Sequence, residues 1–470
     1  MQYSIVNYSE LEKTSLRFDP EYYHPLNLTL YEKLVLKPHQ MIGEFSYVTD
    51  GIHNPIQFDD ESNINLISAK APKDNYFDLS GCGRISTEQN SKNPRTRLKE
   101  DDVIVSSVGT IGNCAVVDKS ILPANSDRHV GIIRIKNGFL PRFLSSFLLS
   151  KYGRFQTYRE STGNVQLNLF VYKIKEIIVP NLSKDFQEYI ENVCIEANYL
   201  ILSSDQLYSQ AEQVLLSELG LLDWKPKHQL SFVRNYSDIE SAERFDAEYF
   251  QPMYDEIENY IRSYENGNDL LRNQFKQNKK TFKIEPEREY QYVEIGCVNI
   301  SDGSIDPLQL RGDELPTNAK IKLLENDLIV STVRPYRGAI GIVDSNNYVG
   351  SGAFTVLQEC GGINKETLMV FLRSKPMLSY SLKFNTGTSY PVITDNDILN
   401  FSVPIIRQEK QEQIKSKINE IRKAKYESRK LLEIAKRGVE LAIEENEVEA
   451  EKWINEELLK CQVEISIYRQ

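Results

Sequence analysis

Residues 184–220 read KDFQEYIENVCIEANYLILSSDQLYSQAEQVLLSELG, and this stretch decides how the chain is organised. Apolar residues recur along it at alternating spacings of four and three, with Ser204 as the polar member: Phe186, Ile190, Val193, Ala197, Leu200, Leu207, Ala211 and Val214. This spacing is typical of a coiled-coil helix. Gly220 and Pro226 then follow in the order expected at a helix end. The predicted helix is roughly 50–55 Å long at 1.5 Å per residue, and its seam needs a partner.

A second stretch, from Gln408 to about Glu449, predicts that partner. Its apolar residues fall on one helical stripe: Ile414, Ile418, Ile421, Leu432, Ala435, Val439 and Ala442. Because both helices belong to one chain, the seam does not require a second copy of the protein. We expect the two helices to pair in antiparallel fashion.

Length and composition describe an ordinary multidomain protein. The chain has 470 residues, of which 40% are hydrophobic and 26% charged, and this predicts two to four domains. No run approaches 18 apolar residues, and the start at Met1 lacks the basic and apolar regions of a signal peptide. The six cysteines are scattered without a CxxC pair, which predicts free thiols and no metal site. We therefore expect a cytoplasmic protein that does not enter the membrane.

The net charge of -11 argues against a protein that simply coats DNA. The acidic residues are unevenly distributed, however, and crowd the end of the second helix: Glu440, Glu444, Glu445, Glu447, Glu449, Glu451, Glu456 and Glu457. A basic surface elsewhere on the molecule is compatible with this distribution, and the acidic end is a candidate surface for docking a partner protein.

An internal repeat carries more information than any single motif. Residues 7–25 read NYSELEKTSLRFDPEYYHP, and residues 235–252 read NYSDIESAERFDAEYFQP. DVIVSSV at 102–108 matches DLIVSTV at 327–333, and GNCAVVD at 112–118 matches GAIGIVD at 338–344. Further matches share the offset between Thr162 and Thr386, which is 224 (386 minus 162): Gly163 with Gly387, Ile174 with Ile398, Pro180 with Pro404 and Gln187 with Gln411. Each half of the chain thus contains the same unit followed by its own long helix.

Periodicity predicts an α+β fold for each unit. The β-branched runs at 102–108 and 327–333 predict strands, and PRFLSSFLLS at 141–150 and KETLMVFLRS at 365–374 predict short helices. We place the globular domains at 1–183 and 223–406, the long helices at 184–222 and 407–452, and a tail at 453–470. Residues 229–233 (QLSFV) resemble residues 2–6 (QYSIV), which indicates a pseudo-twofold, cyclic arrangement that a strand at 463–468 (VEISIY) would close.

These motifs resemble the specificity (S) subunit of type I restriction–modification systems, the phage-defence complexes. The likeness rests on the RFDPEYYHP and RFDAEYFQP openings, the DVIVSSV and DLIVSTV strands, and the TG and IVP or SVP segments before two long helices. It implies two α/β target recognition domains held apart by an antiparallel coiled-coil spacer. Each domain would read one half of a bipartite sequence in double-stranded DNA.

The resemblance also implies a division of labour among partners. It assigns no catalysis and no cofactor to this chain. Two modification subunits would bind S-adenosylmethionine and methylate adenine, and restriction subunits would use ATP for cleavage. The helices would set the spacing between half-sites, roughly one to one and a half turns of about 34–36 Å each, and would dock the modification subunits.

Candidate DNA-binding residues are Arg, Lys, Asn, Gln, Ser and Tyr side chains in the loops of each domain. In the first domain they are Lys70, Lys73, Arg95, Arg97, Arg128, Asn164 and Gln166. In the second domain they are Lys279, Lys280, Arg334, Tyr336, Arg337, Ser389 and Tyr390. The loop from Arg334 to Arg337 is the leading candidate, because it directly follows a matched strand and the first half has Gly109-Thr-Ile at that place.

Two other readings remain to be weighed. Asp19-Pro-Glu-Tyr22 resembles the DPPY motif of amino-methyltransferases, but its repeat copy is Asp246-Ala-Glu-Tyr249 and no Gly-rich turn for S-adenosylmethionine accompanies it. We expect ion pairs within Arg17, Asp19 and Glu21 and their copies instead. The competing function is a non-catalytic coiled-coil scaffold whose repeated domains bind proteins, which the acidic total favours.

Overall fold

The computed structural model describes residues 5–8, 11, 17–163, 166–386 and 390–461. The chain divides into two compact units. Unit 1 comprises Met1–Ile201 and Lys425–Gln470, and unit 2 comprises Leu202–Ala424. Both units combine short strands with helices, so the mixed α and β character expected from the sequence is confirmed.

Unit 1 begins with short elements and ends in a long helix that continues into unit 2. Its helices are α1 (Pro25–Val35), α2 (Ile42–Phe45), α3 (Thr87–Lys92), α4 (Pro141–Leu149), α5 (Lys151–Glu160), α6 (Val171–Glu176), the first part of α7 (Lys184–Glu218), the last part of α14 (Gln408–Glu444) and α15 (Glu447–Cys461). Its strands are β1 (His39–Met41), β2 (Ser46–Asp50), β3 (Ile64–Ile67), β4 (Gly83–Ile85), β5 (Val103–Ser106), β6 (Cys114–Val116), β7 (Ala124–Ser126), β8 (Val130–Ile135) and β9 (Ile178–Pro180).

Three sheets organise these strands. The largest is antiparallel with the order β2-β8-β5-β6, and all four residues of the central strand β5 are buried. A second sheet has the order β4-β3-β7, in which β3 and β7 run parallel, and β1 pairs with β9 in antiparallel fashion. Helix α4 covers the large sheet, and Phe143, Leu144 and Phe147 from it lie in the main core of the unit.

Unit 2 contains a comparable set of elements. Its helices are α8 (Tyr236–Ala242), α9 (Pro252–Arg262), α10 (Leu271–Gln274), α11 (Lys365–Arg373), α12 (Lys375–Tyr380), α13 (Asp395–Leu399) and the first part of α14 (Gln408–Glu444). Its strands are β10 (Asn268–Leu270), β11 (Phe275–Gln277), β12 (Glu289–Val293), β13 (Leu308–Arg311), β14 (Ala319–Lys322), β15 (Leu328–Ser331), β16 (Ile340–Ile342), β17 (Tyr348–Ser351), β18 (Phe354–Glu359) and β19 (Ser402–Pro404).

The sheets of unit 2 have orders that correspond to those of unit 1. The antiparallel sheet runs β11-β18-β15-β16, the second sheet runs β13-β12-β17-β14 with β12 and β17 parallel, and β10 pairs with β19. Register agrees as well, because Ser106 lies opposite Val130 in unit 1 and Ser331 lies opposite Phe354 in unit 2. The strands predicted at 102–108 and 327–333 are confirmed over Val103–Ser106 and Leu328–Ser331, and the predicted helices at 141–150 and 365–374 are confirmed as well.

An aspartate before the central strand has the same role in both units. Asp102 accepts a hydrogen bond from the backbone N–H of Lys99 at 2.9 Å, and Asp327 accepts one from Leu324 at 2.9 Å. The neighbouring strand supplies a second donor, which is Arg134 in unit 1 and Gln358 in unit 2. Burial raises the pKa of the Asp102 carboxyl, although the Arg134 guanidinium opposes this effect.

A glutamine at the start of each long helix fixes the loop before a short helix. Gln187 accepts from the N–H of Leu140 at 3.0 Å and donates to the Gly138 carbonyl at 3.4 Å. Gln411 accepts from Asn364 at 2.7 Å and donates to the Gly362 carbonyl at 2.8 Å. Both side chains are buried, so each couples a long helix to its own unit through satisfied hydrogen bonds.

The apolar seam of α7 is buried within each unit. In unit 1, Phe186, Ile190, Val193 and Ala197 form a core with the C-terminal part of α14, including Leu432, Ala435 and Val439. In unit 2, Leu207, Ala211 and Val214 pack in a core that contains Ile414, Ile418 and Ile421 of α14. The Ser428 hydroxyl donates to the Ala197 carbonyl at 2.9 Å, and Lys417 donates to Gln210 at 2.7 Å.

The helix ends differ in part from those predicted. Helix α7 ends at Glu218. Gly220 follows with φ +71, and the Leu221 N–H donates to the Leu216 carbonyl at 2.8 Å, which caps the C-terminal end of the helix. The predicted second helix is interrupted after Glu444, because the Asn446 side chain accepts from the Glu449 N–H and caps a new helix, α15 (Glu447–Cys461). Residues 453–461 of the predicted tail are therefore helical, and the predicted strand at 463–468 lies outside the described residues.

Candidate nucleic-acid interface

The RFD motif of unit 1 ties the start of the described chain to a distant loop. The guanidinium of Arg17 forms a two-pronged ion pair with Asp19, with Nε–Oδ2 and Nη2–Oδ1 distances of 2.5 and 2.9 Å. Arg17 also donates to the Ser161 carbonyl at 3.4 Å, and its guanidinium carbon lies 4.9 Å from the ring centre of Tyr22. Asp19 is thus fully engaged, which favours a structural role for the motif over a methyltransferase site.

The copy in unit 2 repeats this geometry. Arg244 pairs with Asp246 at 2.8 and 3.0 Å, donates to the Asn385 carbonyl at 3.1 Å and lies 4.7 Å from the ring of Tyr249. The predicted ion pairs are therefore confirmed for arginine and aspartate. The predicted participation of the glutamates is wrong for Glu248, which instead contacts His228 and accepts from Tyr254.

The arginine hydrogen bonds lower the pKa of both aspartate carboxyls. In each case the bond to the paired arginine is the largest cause, and partial burial opposes it without reversing it. Backbone N–H groups of Tyr22 and Tyr249 add further bonds to the ionised forms.

The carbonyls that accept from these arginines lie beside a short closed loop. In unit 1 the Thr162 and Asn168 backbones exchange hydrogen bonds of 2.9 and 2.8 Å, which closes the loop 162–168. In unit 2 the Thr386 N–H donates to the Val392 carbonyl at 3.2 Å and closes the loop 386–392. The last residue of each loop forms an antiparallel β-bridge with the segment that follows the central strand. Asn168 pairs with Val108 in unit 1, and Val392 pairs with Val333 in unit 2.

We call the two resulting loop clusters corner 1 and corner 2. Corner 1 comprises residues 107–113, 127–129, 162–163 and 166–168, and corner 2 comprises residues 332–339, 351–353, 386 and 390–392. Each contains the turn after the central strand, the turn before the neighbouring strand and the closed loop. The N–H of Ser107 donates to the His129 carbonyl at 3.0 Å, and that of Thr332 donates to the Ala353 carbonyl at 2.9 Å, so the frames share this contact although the turn of corner 2 is one residue longer.

Corner 1 borders a cleft of about 310 Å³. Arg128, His129 and Gln166 line it together with Asp50 and His53. The ring of His53 lies 2.6 Å from an Asp50 carboxylate oxygen, and that of His129 lies 3.2 Å from one of Asp127. The exposed Arg128 forms no hydrogen bond or ion pair with any of the described residues, which leaves its guanidinium available to a ligand.

The other predicted residues of unit 1 lie around this cleft or away from it. Arg95 donates to Asp50 at 3.1 Å and to the Thr49 hydroxyl, so it supports one wall. Arg97 donates to the Asn90 carbonyl at 2.9 Å, Lys73 is half-buried, and Lys70 is exposed in the turn after β3. Asn164 lies outside the described residues. Corner 1 thus brings together Arg128 and Gln166 of the predicted set.

Corner 2 contains most of the residues predicted for unit 2. Arg334 lies in the left-handed region, with φ 49 and ψ 52, and its N–H donates to the Pro391 carbonyl at 2.7 Å. Its guanidinium carbon lies 4.6 Å from the ring centre of Tyr390, a cation–π contact that joins the turn to the closed loop. Tyr336 and Arg337 follow in the same turn, and Arg337 is exposed.

The remaining residues predicted for unit 2 do not join corner 2. Lys279 and Lys280 are exposed beyond β11, where the Lys322 N–H donates to the Lys280 carbonyl at 2.8 Å. Ser389 lies outside the described residues. The two lysines are therefore candidates for phosphate contacts and not for the base-reading loops.

Two buried or half-buried arginines escaped the sequence analysis. Arg373 donates to the carbonyls of Gly338 and Ile340 at 2.8 and 3.0 Å and so holds the turn of corner 2. Arg154 donates to the Ile111 carbonyl at 3.2 Å and to Asn113 at 3.0 Å, and so holds the turn of corner 1. Each stands at a helical position that is leucine in the other half, so matching identical residues between the halves does not find them.

The acidic end of the second long helix is partly neutralised within unit 1. Glu444 pairs with Lys151 and Arg437, and Glu440 pairs with Arg437 at 2.8 Å. Glu445, Glu449 and Glu456 are exposed and remain available for a partner. No group of His, Cys, Asp and Glu able to hold a metal is found among the described residues.

Comparison with known proteins gives likenesses of structure alone. No protein-family model and no curated protein matches the chain. Solved structures that are similar include the type I restriction–modification S subunit from M. genitalium, with 12% identity, a TM-score of 0.38, and coverage of 86% of this chain and 94% of that one. A structure titled for complex assembly and conformational transition of the type I R-M system has 12% identity, a TM-score of 0.27 and coverage of 90% and 96%. The HsdS subunit from Thermoanaerobacter tengcongensis has 14% identity, a TM-score of 0.26 and coverage of 90% and 95%.

In the part of the chain that the structure describes, no helix is both long and apolar enough to span a membrane.

Proposed function

We propose that this chain is the DNA-specificity subunit of a type I restriction–modification complex, with each unit reading one half of a bipartite target. The observation that carries the proposal is the pair of corners. Several backbone hydrogen bonds of their frames correspond, while their polar side chains differ. Two copies of one backbone frame with different polar surfaces suit two related domains that recognise different DNA sequences.

Matched buried contacts support descent of both units from one duplicated domain. The Arg–Asp pairs, the aspartates before the central strands and the glutamines of the long helices recur with the same partners. These contacts lie within each unit. These contacts are the same in both units, whereas the side chains of the corners differ. The constant contacts therefore belong to the scaffold, and the differing side chains belong to the surface that would read DNA.

The chemistry of the corners suits base recognition. Arginine donates two parallel hydrogen bonds to guanine O6 and N7 in the major groove, and glutamine pairs with adenine N6 and N7. Corner 1 offers Arg128 and Gln166, and corner 2 offers Arg334 and Arg337. The exposed lysines at 70, 279 and 280 would contact phosphates, which position a protein on DNA without specifying sequence.

The proposal assigns no chemical step and no cofactor to this chain. S-adenosylmethionine would bind to the two modification subunits and ATP to the restriction subunits. The long helices would dock the modification subunits and fix the distance between the half-sites.

The test of this function is a map of methylated adenines in the source genome with and without the gene for this chain. We expect a bipartite motif with a fixed gap that disappears on deletion and returns on complementation. A methylation pattern that is unchanged by deletion would contradict the proposal.

The spacing role has a separate test. Four residues inserted into each long helix, next to residues 201 and 424, would lengthen both by about 6 Å. We expect the gap between the half-sites to grow by about two base pairs at 3.4 Å each, while both half-sites stay the same. An unchanged gap would refute the spacing role and leave base reading untouched.

Exposed apolar side chains favour a second candidate, the protein-binding scaffold. Phe18 and its copy Phe245 are 66% and 83% exposed, and Tyr8 and its copy Tyr236 are 79% and 72% exposed. Salt separates the two functions: binding through phosphate contacts weakens steeply between about 50 and 200 mM salt, whereas binding to a protein through apolar surface does not. Purification of the chain without any methyltransferase-like partner would favour the scaffold.

A further inference from the structure

An exchange of arginine and glycine distinguishes the two corners. Ser106 lies opposite Val130, and Ser331 lies opposite Phe354, so Arg128 occupies the place of Gly352. In the turn after the central strand, Val108 and Val333 bridge to equivalent residues of the closed loops, so Gly109 occupies the place of Arg334. Each corner therefore has an arginine where the other has a glycine, at two different places.

The backbone shows that Arg334 occupies a glycine position. Gly109 has φ +75, and Arg334 has φ 49. A left-handed backbone strains an L-residue that has a side chain, and glycine avoids this strain. Strain of this kind persists where the surrounding structure imposes it and is concentrated at functional sites.

The surroundings hold Arg334 in place and leave its donors open. The 2.7 Å hydrogen bond from its N–H to Pro391 fixes the backbone, and the Tyr390 ring supports one face of the guanidinium. Stacking occupies the face of the planar group but not its N–H edge. Within the described residues that edge forms no ion pair or hydrogen bond, so it remains free for a planar acceptor pair.

Arg128 is presented differently. It lies in the turn between β7 and β8, exposed at the mouth of the cleft, with His129 and Gln166 beside it. Both arginines thus project from the same kind of corner, but from two turns of the frame.

We infer that Arg128 and Arg334 are specificity-determining residues, each of which reads one guanine, and that the two guanines lie at different places within their half-sites. This inference rests on the proposed function. A planar fork of donors matches the O6 and N7 acceptors of guanine, and no other base presents two acceptors there. The two arginines occupy different positions on the same backbone frame. When both units bind DNA in the same orientation, the two arginines therefore contact base pairs at different places in their half-sites.

The experiment maps the methylated motif conferred by the complete complex that contains wild-type chain, R128G, R334G or R334K. Each glycine is the residue that the other corner has at that position, so the backbone of the frame is preserved, and a thermal melt checks folding. R262A is the matched control, because Arg262 is an exposed arginine of α9 that pairs with Glu258 at 2.8 Å outside corner 2.

We expect R334G to relax one guanine in one half-site and R128G to relax one guanine in the other, with discrimination reduced about 5- to 150-fold. R334K is expected to lose the same discrimination while it retains the salt dependence of binding, because lysine retains the charge but not the fork. R262A is expected to leave both half-sites unchanged.

If the wild-type chain confers a bipartite motif and R128G and R334G leave it unaltered, the inference is overturned and the proposed function stands. If both variants relax bases in the same half-site, the inference is also overturned. If the wild-type chain confers no motif, the proposed function itself fails.

Discussion

The turns after the two central strands show how differently one frame can be supported. Arg154, from α5, holds the turn of corner 1, whereas Arg373, from α11, holds the turn of corner 2. The counterpart of Arg154 is Leu378, and that of Arg373 is Leu149. The turn carbonyls need a cationic donor in both units, but the helical position that supplies it has changed.

The exposed Arg128 and the half-buried Arg334 follow the same rule. Arg128 and Arg334 have glycine counterparts, as the buried arginines have leucine counterparts. Both units share the backbone geometry and the hydrogen-bonding needs of the frame, but different residues meet those needs. Such a frame can diverge in specificity while its fold is conserved.

Replacing Arg373 with the leucine of the other unit is expected to have the largest effect on stability. R373L leaves the Gly338 and Ile340 carbonyls and the Tyr208 hydroxyl without this buried donor, which costs about 3 kcal/mol or more in free energy of unfolding. R154L is expected to cost less, about 1–2 kcal/mol, because the Arg154 side chain is 26% exposed and water can replace it in part.

The chain offers a way to observe each unit alone. Trp224 lies in unit 2 and Trp453 in unit 1, and they are the two tryptophans of the sequence. Urea unfolding followed by fluorescence in W453F and W224F backgrounds therefore reports the two units separately. An unchanged midpoint for unit 2 in R373L would show that Arg373 does not hold the turn.

Substitution of the residue with positive φ in each turn is expected to change the stability of the two units in opposite directions. G109A is expected to lower the free energy of unfolding of unit 1 by about 1 kcal/mol, because an added Cβ meets no atom within 4 Å and the cost is purely conformational. R334G is expected to leave unit 2 unchanged or slightly more stable, because glycine relieves the strain at φ 49. The same fluorescence assay measures both, and strong destabilisation by R334G would contradict the equivalence of the two turns.

The Arg–Asp pairs predict a smaller, pH-dependent effect that is alike in both units. Because hydrogen bonds from Arg17 and Arg244 lower the pKa of Asp19 and Asp246, their stabilisation is present above the unfolded pKa of about 3.9 and is lost as the pH falls through the folded values. The aspartates are 37% and 45% exposed, so each pair contributes under about 1 kcal/mol. Melting temperatures between pH 6 and 3 should fall less steeply in D19N and D246N than in the wild type.

Much of the fold could be predicted because its sequence motifs occur twice in the chain. Matches such as Asp102 with Asp327 and Gln187 with Gln411 pick out side chains that prove to have identical hydrogen-bonding roles. The burial of the α7 seam follows from its spacing alone, since a helix with apolar residues every three or four positions must cover that stripe. A single unrepeated domain would not have offered the first of these checks.

The corners were predicted less completely, for physical reasons. Matching identical residues cannot find a function that has moved, so the exchange of Arg154 and Arg373 between helical positions was invisible to it. The left-handed backbone of Arg334 was also hidden, because arginine rarely signals positive φ. The interruption at Asn446 was missed because acidic and apolar residues continue in helical spacing on both sides of it.

The independence of the two units is tested most directly by the double variant R128G/R334G in the assembled complex. Base preferences across both half-sites would be measured by methylation mapping for the wild type, each single variant and the double variant. We predict that each single change affects only its own half-site and that the double variant shows the sum of both changes, as expected for sites without shared partners. A change in one half-site caused by the arginine of the other unit would contradict two independent readers on one frame.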